Sequence, residues 1–407
     1  MRFLILGLVG LMVIIRVAGH SLISERIEVG DEVKLNTVVW EVRSGGWVKM
    51  LGMWWKLETG ESVTAGDRIK AVGNIKAKLI RNSQVEIVSQ HRSLIIVPGV
   101  GRWFSGLNEA RMLIDKKISR WFVGDVGALI SGILLGGSGQ LSVEMAEAFR
   151  KTGLMHVVAA SGYNVVVVAG WVMSWWQRWL NRRLAIWFGI LSICLYALLA
   201  GMSTPVIRAA IMASISLAGL YWGRKSDGGW LLIWTGLIML LVRPDWWYDV
   251  GWQLSVAATA GLIMFTGQPE IITISLERQH RGIAEEWLGN LQTTLAAQLL
   301  TAPLILHYFG QMGVWSPAVN MLALWTIPLL MEMGAVVLVG GLIWDPIGQL
   351  GAMVMWPLAS YVLLIVTWGA GWPGSGWQVG NLGWGWVGVY YALVGTSWWL
   401  LMKKKKQ

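Results

Sequence analysis

The segment Thr152–Val168, "TGLMHVVAASGYNVVVV", is apolar enough to enter a bilayer, yet it carries a histidine, a Ser-Gly pair and a Tyr-Asn pair. In hydrocarbon an unsatisfied polar group costs several kcal/mol, so such groups face a protein interior or a wet cavity. The same argument picks out Arg208 in "STPVIRAAIMA", Asp249 and Gln253 in "YDVGWQLSVAATAG", Gln298 in "LAAQLLTAPL" and Asn320 in "SPAVNMLAL". Two uses stand open for all of them: lining a cavity, or joining helices by hydrogen bonds. Arg208 and Asp249 fall near the outer ends of their segments, where they could form an ion pair. The one nucleophile–base combination, Ser161 with His307, is weak. The small residues at 159–162 suit close packing or a gap for a translocating chain better. Metal chemistry has no ligand set: the five histidines (20, 91, 156, 280, 307) are scattered and Cys194 stands alone. No P-loop is present, so no ATPase or nuclease activity and no cofactor are expected.

The elements that must hold these groups are membrane helices. The 407 residues are 55% hydrophobic and 14% charged, against about 25% charged in a soluble domain. Apolar segments fall at 152–175, 184–200, 205–222, 229–242, 249–266, 287–308, 317–344, 347–370 and 383–402, several of them near the ~20 residues a span requires. Pro205, Pro303, Pro317 and Pro328 interrupt apolar stretches, and Gly162 makes a continuous helix through Ser161 doubtful. The short basic loops 177–183 and 223–227 and the tail "KKKKQ" belong on the cytoplasmic side, with 201–203 and "RPDWWYD" outside and 267–286 inside. The tail also suits anionic lipid. Residues 124–138 are too short to cross and close this topology only if they are re-entrant or interfacial.

The first 150 residues read differently. Residues 1–21 form an expected uncleaved transmembrane anchor, with a signal peptide as the competing reading. Residues 22–100 alternate short strand-like runs with turn signals (Gly30-Asp31, Gly45-Gly46, Gly60, Gly66-Asp67), which predicts a small all-β domain. Its length suits a five-stranded OB-like barrel, a fold that licenses no function by itself. Residues 101–150 supply an amphipathic helix at 102–122, the short segment, and a helix that Ser142 would cap with Glu144 in its first turn. The fold class is therefore an α-helical polytopic membrane protein with a small extracytoplasmic N-terminal β-domain. A main membrane domain occupies 151–402, and 403–407 form a basic cytoplasmic tail.

Four blocks in order resemble the ComEC competence-protein family over residues ~125 to 345: "AFRKTGLMHVVAASGYNVVVV", "YALLAGMSTPVIRAAIMA", "RPDWWYDVGWQLSVAATAGLI" and "AAQLLTAPLILHYFGQMGVWSPAVNMLALWTIPLL". The family also carries an OB-type domain ahead of the membrane domain. The resemblance implies a cytoplasmic-membrane channel for single-stranded DNA in natural transformation. It implies pore-lining or pore-supporting roles for His156, Ser161, Gly162, Arg208, Asp249, Gly251 and Gln253, beside the polar Asn164, Gln298 and Asn320. Asn164 stands where the family usually has a second histidine; an amide keeps hydrogen bonding but cannot protonate near neutral pH. Many relatives end in a metallo-β-lactamase-type domain, and none follows Met402. A separate cytoplasmic ATPase or helicase, and a separate nuclease if one is needed, are the expected partners. The β-domain has eleven Lys/Arg against nine Asp/Glu over residues 22–100. It could hold DNA through Lys70, Lys76, Lys78 and Arg81, with Trp54 or Trp55 stacking on bases; those tryptophans fit a barrel core equally well. A small-solute transporter or flippase-type protein with an accessory β-domain explains the intramembrane polar residues as well.

Overall fold

The computed structural model describes residues 6–7, 9–18, 32–38, 41–43, 47–50, 53–57, 68–81, 84–97, 102–136, 141–159, 161–224, 226–266, 283–380 and 382–405. The expected inside loop at 267–286 lies almost wholly outside them. The chain is mostly helical and falls into two compact units, Met1–Leu113 with Ile233–Gln253, and Ile114–Leu232 with Leu254–Gln407.

The first unit contains helix α1 (Val9–Ala18) and six strands: β1 (Glu32–Val38), β2 (Glu41–Arg43), β3 (Trp47–Met50), β4 (Met53–Leu57), β5 (Arg68–Arg81) and β6 (Gln84–Val97). They form one sheet in the order β1-β5-β6-β4-β3-β2, antiparallel except for the β4–β6 pair. β5 and β6 are a long hairpin whose register slips at Val72/Gly73 and Ile75/Ala77, and such bulges add local twist. Val48 lies opposite Trp55 across the β3–β4 hairpin, and both are buried. The strand count is six rather than five because the expected first strand is two pieces, which pair at opposite ends of the sheet.

The second unit is helical. α2 (Arg102–Trp121) leads to α3 (Asp125–Leu135), α4 (Val143–Lys151) and α5 (Met155–Val158). Then come α6 (Gly162–Trp176), α7 (Arg182–Leu199), α8 (Thr204–Tyr221), α9 (Gly228–Val242) and α10 (Val250–Thr266), of which Ile233–Gln253 belongs to the first unit. The series ends with α11 (Ile283–Phe309), α12 (Ser316–Ala323), α13 (Thr326–Ile343), α14 (Asp345–Ala370) and α15 (Trp384–Lys405). Four of these, α7, α8, α13 and α14, are long and apolar enough to cross a membrane. Ser142 caps α4 as its sequence predicts, its Oγ accepting from the Met145 amide at 3.3 Å, with Glu144 in the first turn.

α3 is about 17 Å long at 1.5 Å per residue, far short of a ~30 Å hydrocarbon core. It is buried on nearly every side, from Val126 to Ile133, and anchors a core with Phe149, Leu154, Val319, Leu330, Met355 and Val362. A short apolar segment that is wrapped in protein needs no lipid. Trp121 fits a groove opened by two glycines: a Cβ on Gly341 or Gly348 would lie 2.4 or 2.3 Å from its ring. Its Nε1 donates to Asp345 Oδ1 at 3.2 Å. A second core joins α6, α7 and α8 through Val165, Met173, Ile193, Val206 and Leu217.

Two expectations about helix breaks change. The segment 317–344 is two helices, parted at Leu324–Trp325. The prolines mostly mark starts: Pro205 and Pro317 sit in first turns, and Pro328 is the third residue of α13, where no intrahelical N–H partner is lost. Pro303 lies inside the unbroken α11. It cannot donate to the Leu299 carbonyl four residues back, and the Tyr390 hydroxyl of α15 supplies that bond at 2.8 Å.

Candidate functional site

The residues singled out in the sequence gather in three places. The first is the junction of α5 and α6. Ala159 (ψ 135°) and Ser161 (φ −108°, ψ 162°) are extended, so the helix breaks where Ser161-Gly162 predicts. Ser161 Oγ donates to Asn164 Oδ1 at 3.0 Å and does not cap α6. Asn164, only 1% exposed, donates from Nδ2 to the Ile133 carbonyl at 3.1 Å. The Tyr196 hydroxyl of α7 approaches the same oxygen at 3.5 Å. That carbonyl lies in the last turn of α3, where no intrahelical donor is available. Asn164 therefore ties α3 to α6. His156 lies on α5 beside this junction, its side chain solvent-accessible in the chain alone, and its Nδ1 donates to the Gly153 carbonyl at 2.9 Å.

Arg208 lies against the start of α6. The residue is 5% exposed. Nε donates to Ser255 Oγ at 2.7 Å and Nη1 to Met212 Sδ at 3.0 Å. A Cβ on Gly162 would stand 3.2 Å from Nη2 and 3.1 Å from the Ala209 Cβ. Glycine is thus what lets the α6 start approach α8 and its arginine. No carboxylate of its own unit pairs with Arg208 among the described residues. Asp249, the partner the sequence suggested, belongs to the other unit.

The second place is where α11 meets α12. Asn320 Nδ2 lies 3.4 Å from Thr294 Oγ1 and 3.5 Å from Ser316 Oγ, and Gln298 Nε2 donates to the Gly313 carbonyl at 3.4 Å. These contacts are long, and Gln298 Oε1 and Asn320 Oδ1 are buried with no donor among the described residues. The α4–α5 turn packs here. Gly153 has φ +74°, a value that favours glycine, and a Cβ on it would meet Ser316 Oγ at 2.7 Å.

The third place is the corner before α10, in the first unit. Asp249 Oδ1 accepts from the Trp252 amide at 2.8 Å, and Gln253 Nε2 donates to the Trp247 carbonyl at 2.8 Å. Gly251 lies between them in the first turn of α10. Sequence reasoning missed the neighbouring ion pair: Arg243 grips Asp245 at 2.6 and 3.2 Å and stacks on Trp246.

In the sheet, Lys70, Lys76, Lys78 and Arg81 all fall on β5, and Lys76 occupies the bulge between Ile75 and Ala77. Trp54 lies on β4 opposite Glu86. Trp55, 1% exposed, is core, which removes it from any base-stacking surface in this conformation. His307 Nδ1 bonds the Leu382 carbonyl while Ser161 bonds Asn164, so the two form no nucleophile–base pair with each other. No cluster of metal-ligating side chains occurs among the described residues.

The competence-protein family profile matches residues 133–404, about two thirds of the chain. The chain belongs to the competence-protein family. The match takes in the α5–α6 break, Arg208 and the α11–α12 contact. Similar curated proteins include ComE operon protein 3 of Bacillus subtilis (28% identical over 49% of this chain and 24% of that protein). Competence protein ComA of Neisseria gonorrhoeae is 27% identical over 59% of this chain and 33% of its own length. The uncharacterized Escherichia coli protein YcaI is 26% identical over 68% and 36%. The chain thus spans about a quarter to a third of the length of these relatives. No solved structure matches it.

Proposed function

We propose that this competence-family chain forms a channel through which single-stranded DNA crosses the cytoplasmic membrane during natural transformation. The observation that carries the reading is the coincidence of the family match with a broken helix whose flanking polar residues are held inside an apolar body. Broken helices at membrane depth are tolerated where they are buried in protein or line a cavity. On this reading Ser161, Gly162 and Arg208 line the path and Asn164 shapes it from behind, while Asp249, Gly251 and Gln253 keep the supporting role that the family resemblance implies. His156 stands at its rim. Gln298 and Asn320, with their unanswered amide oxygens, line a polar seam.

The sheet supports an OB-type domain. β1 and β2 end the sheet at opposite edges, yet Val38 and Glu41 are three residues apart, at most about 10 Å. Edges held that close favour a closed barrel whose first strand is interrupted. Such a domain, outside the membrane, would receive DNA on Lys70, Lys76, Lys78 and Arg81, with Trp54 as the stacking ring. The basic loops and tail support a cytoplasmic C-terminus. A separate ATPase or helicase drives transport, and a separate nuclease removes the second strand.

Deleting the gene from a naturally transformable host that carries it tests the reading. Transformants should fall by orders of magnitude while DNA still binds the cell surface. Unchanged transformation would sink the channel and favour a small-solute transporter.

A further inference from the structure

α13 is long and apolar enough to cross a membrane, and Glu332 is its one charged residue. At 1.5 Å per residue the glutamate stands about 9 Å from the first residue of the helix and about 16 Å from the last. Its carboxyl has no hydrogen bond or ion pair among the described residues. The two faces of α13 differ. Leu330, Gly334, Val337 and Gly341 are buried, and a Cβ on Gly334 would touch Leu134 of α3 and Met355 of α14. Residues two apart on a helix point to nearly opposite sides, so Glu332 faces away from that contact. It falls at three- and four-residue spacing with the exposed Leu329, Val336 and Val339, and is itself only partly buried.

The elements packed against α13 are chiefly α14, α3 and α6, and their titratable groups are engaged elsewhere. Asp345 of α14 meets Lys117 and Trp121, and Tyr361 donates to the Leu322 carbonyl. Asp125 of α3 accepts from the amide and hydroxyl of Ser142. Tyr163 of α6 has a contact of its own. Glu332 is thus a carboxyl without a cation, in a stripe that is otherwise apolar and outward. An ionised carboxylate turned to hydrocarbon is expensive, and the neutral acid is far less so.

We infer that Glu332 is a proton-binding site at membrane depth, held as the neutral acid where the stripe meets lipid and able to exchange its proton with water. One proton binds a carboxylate oxygen on entering hydrocarbon, and the same proton leaves on reaching water. Carboxyls with this property serve as proton relays in membrane transport. The inference does not depend on the cargo, and holds for a DNA channel and a small-solute carrier alike.

The test treats the full chain in lipid nanodiscs with dicyclohexylcarbodiimide, an apolar reagent that reaches protonated carboxyls from the hydrocarbon side. The acid proton moves to a carbodiimide nitrogen, the carboxyl oxygen adds to the central carbon, and the O-acylisourea rearranges to a stable N-acylurea. Peptide mass spectrometry should place that adduct on Glu332. It should form severalfold faster than with a charged, water-soluble carbodiimide, and more slowly as pH is raised. Glu332→Gln, an amide in place of the acid, should lose the label and melt at the wild-type temperature. Should that variant fail to fold, the reagent preference and pH dependence of the wild type decide alone. Faster labelling by the charged reagent would make Glu332 an ordinary solvated carboxylate, and labelling by neither would mean that another group covers it; both overturn the site. A rate indifferent to pH would overturn the exchange. All three results leave the channel reading standing.

Discussion

Arg243 and Arg208 are both arginines drawn into the protein, and they are treated in opposite ways. Arg243 holds Asp245 through two hydrogen bonds, and their side chains are 15% and 7% exposed. Trp246 covers its face. The charge is neutralised inside a single turn, and nothing remains for a ligand to do. Arg208 has partners that fix its orientation and leave its charge standing. The first pattern builds structure. The second leaves a buried charge among uncharged acceptors.

The largest effect should come from breaking the closed pair. Asp245→Asn strands the Arg243 charge and should cost about 3–5 kcal/mol. Thermal melting in detergent, followed by Trp fluorescence, should show a marked drop. Arg208→Gln should leave the same melting temperature unchanged or raise it, since it removes a buried charge with no countercharge; a drop as deep as that of Asp245→Asn would make the two arginines equivalent and erase the contrast. Next, Asn164→Ala should cost about 1–3 kcal/mol by unpairing the Ile133 carbonyl. Combined with Tyr196→Phe, the loss should exceed the sum of the single losses, because both side chains serve one oxygen. Tyr390→Phe frees the Leu299 carbonyl that Pro303 cannot serve, and should cost about 1 kcal/mol. The smallest change is expected at Asn320→Leu. Its hydrogen bonds are long and its Oδ1 is unanswered, so replacement by an apolar residue should be nearly neutral in the same melts. If DNA uptake nonetheless falls in that variant, the polar seam serves transport and not folding.

What the sequence revealed depended on distance along the chain. The break at Ser161-Gly162 is local, written in a Ser-Gly pair between two apolar runs. The shortness of α3 is local too. Ser142 as a cap needs only its next three residues. The parting of α12 from α13 left no such mark, because no glycine or proline stands at Leu324–Trp325 and Pro328 arrives one turn late. The tie of Asn164 to Ile133 crosses 31 positions, and no periodicity announces it. Polarity inside an apolar run told which residues mattered, but not whether each lines or supports. The Arg243–Asp245 pair was missed because a charged turn between apolar runs reads as an interfacial loop.

The turn at Thr152-Gly153 has a consequence for the order of assembly. A Cβ on Gly313 would lie 2.8 Å from the Lys151 carbonyl, so the two backbones touch. About 160 residues separate them, which is roughly 8 to 30 s of synthesis at 5–20 residues per second. Through that interval the α4–α5 turn has α3 to rest on but lacks the surface that Gly313 and Ser316 give it. The turn is thus made early and completed late, when the second half of the chain arrives.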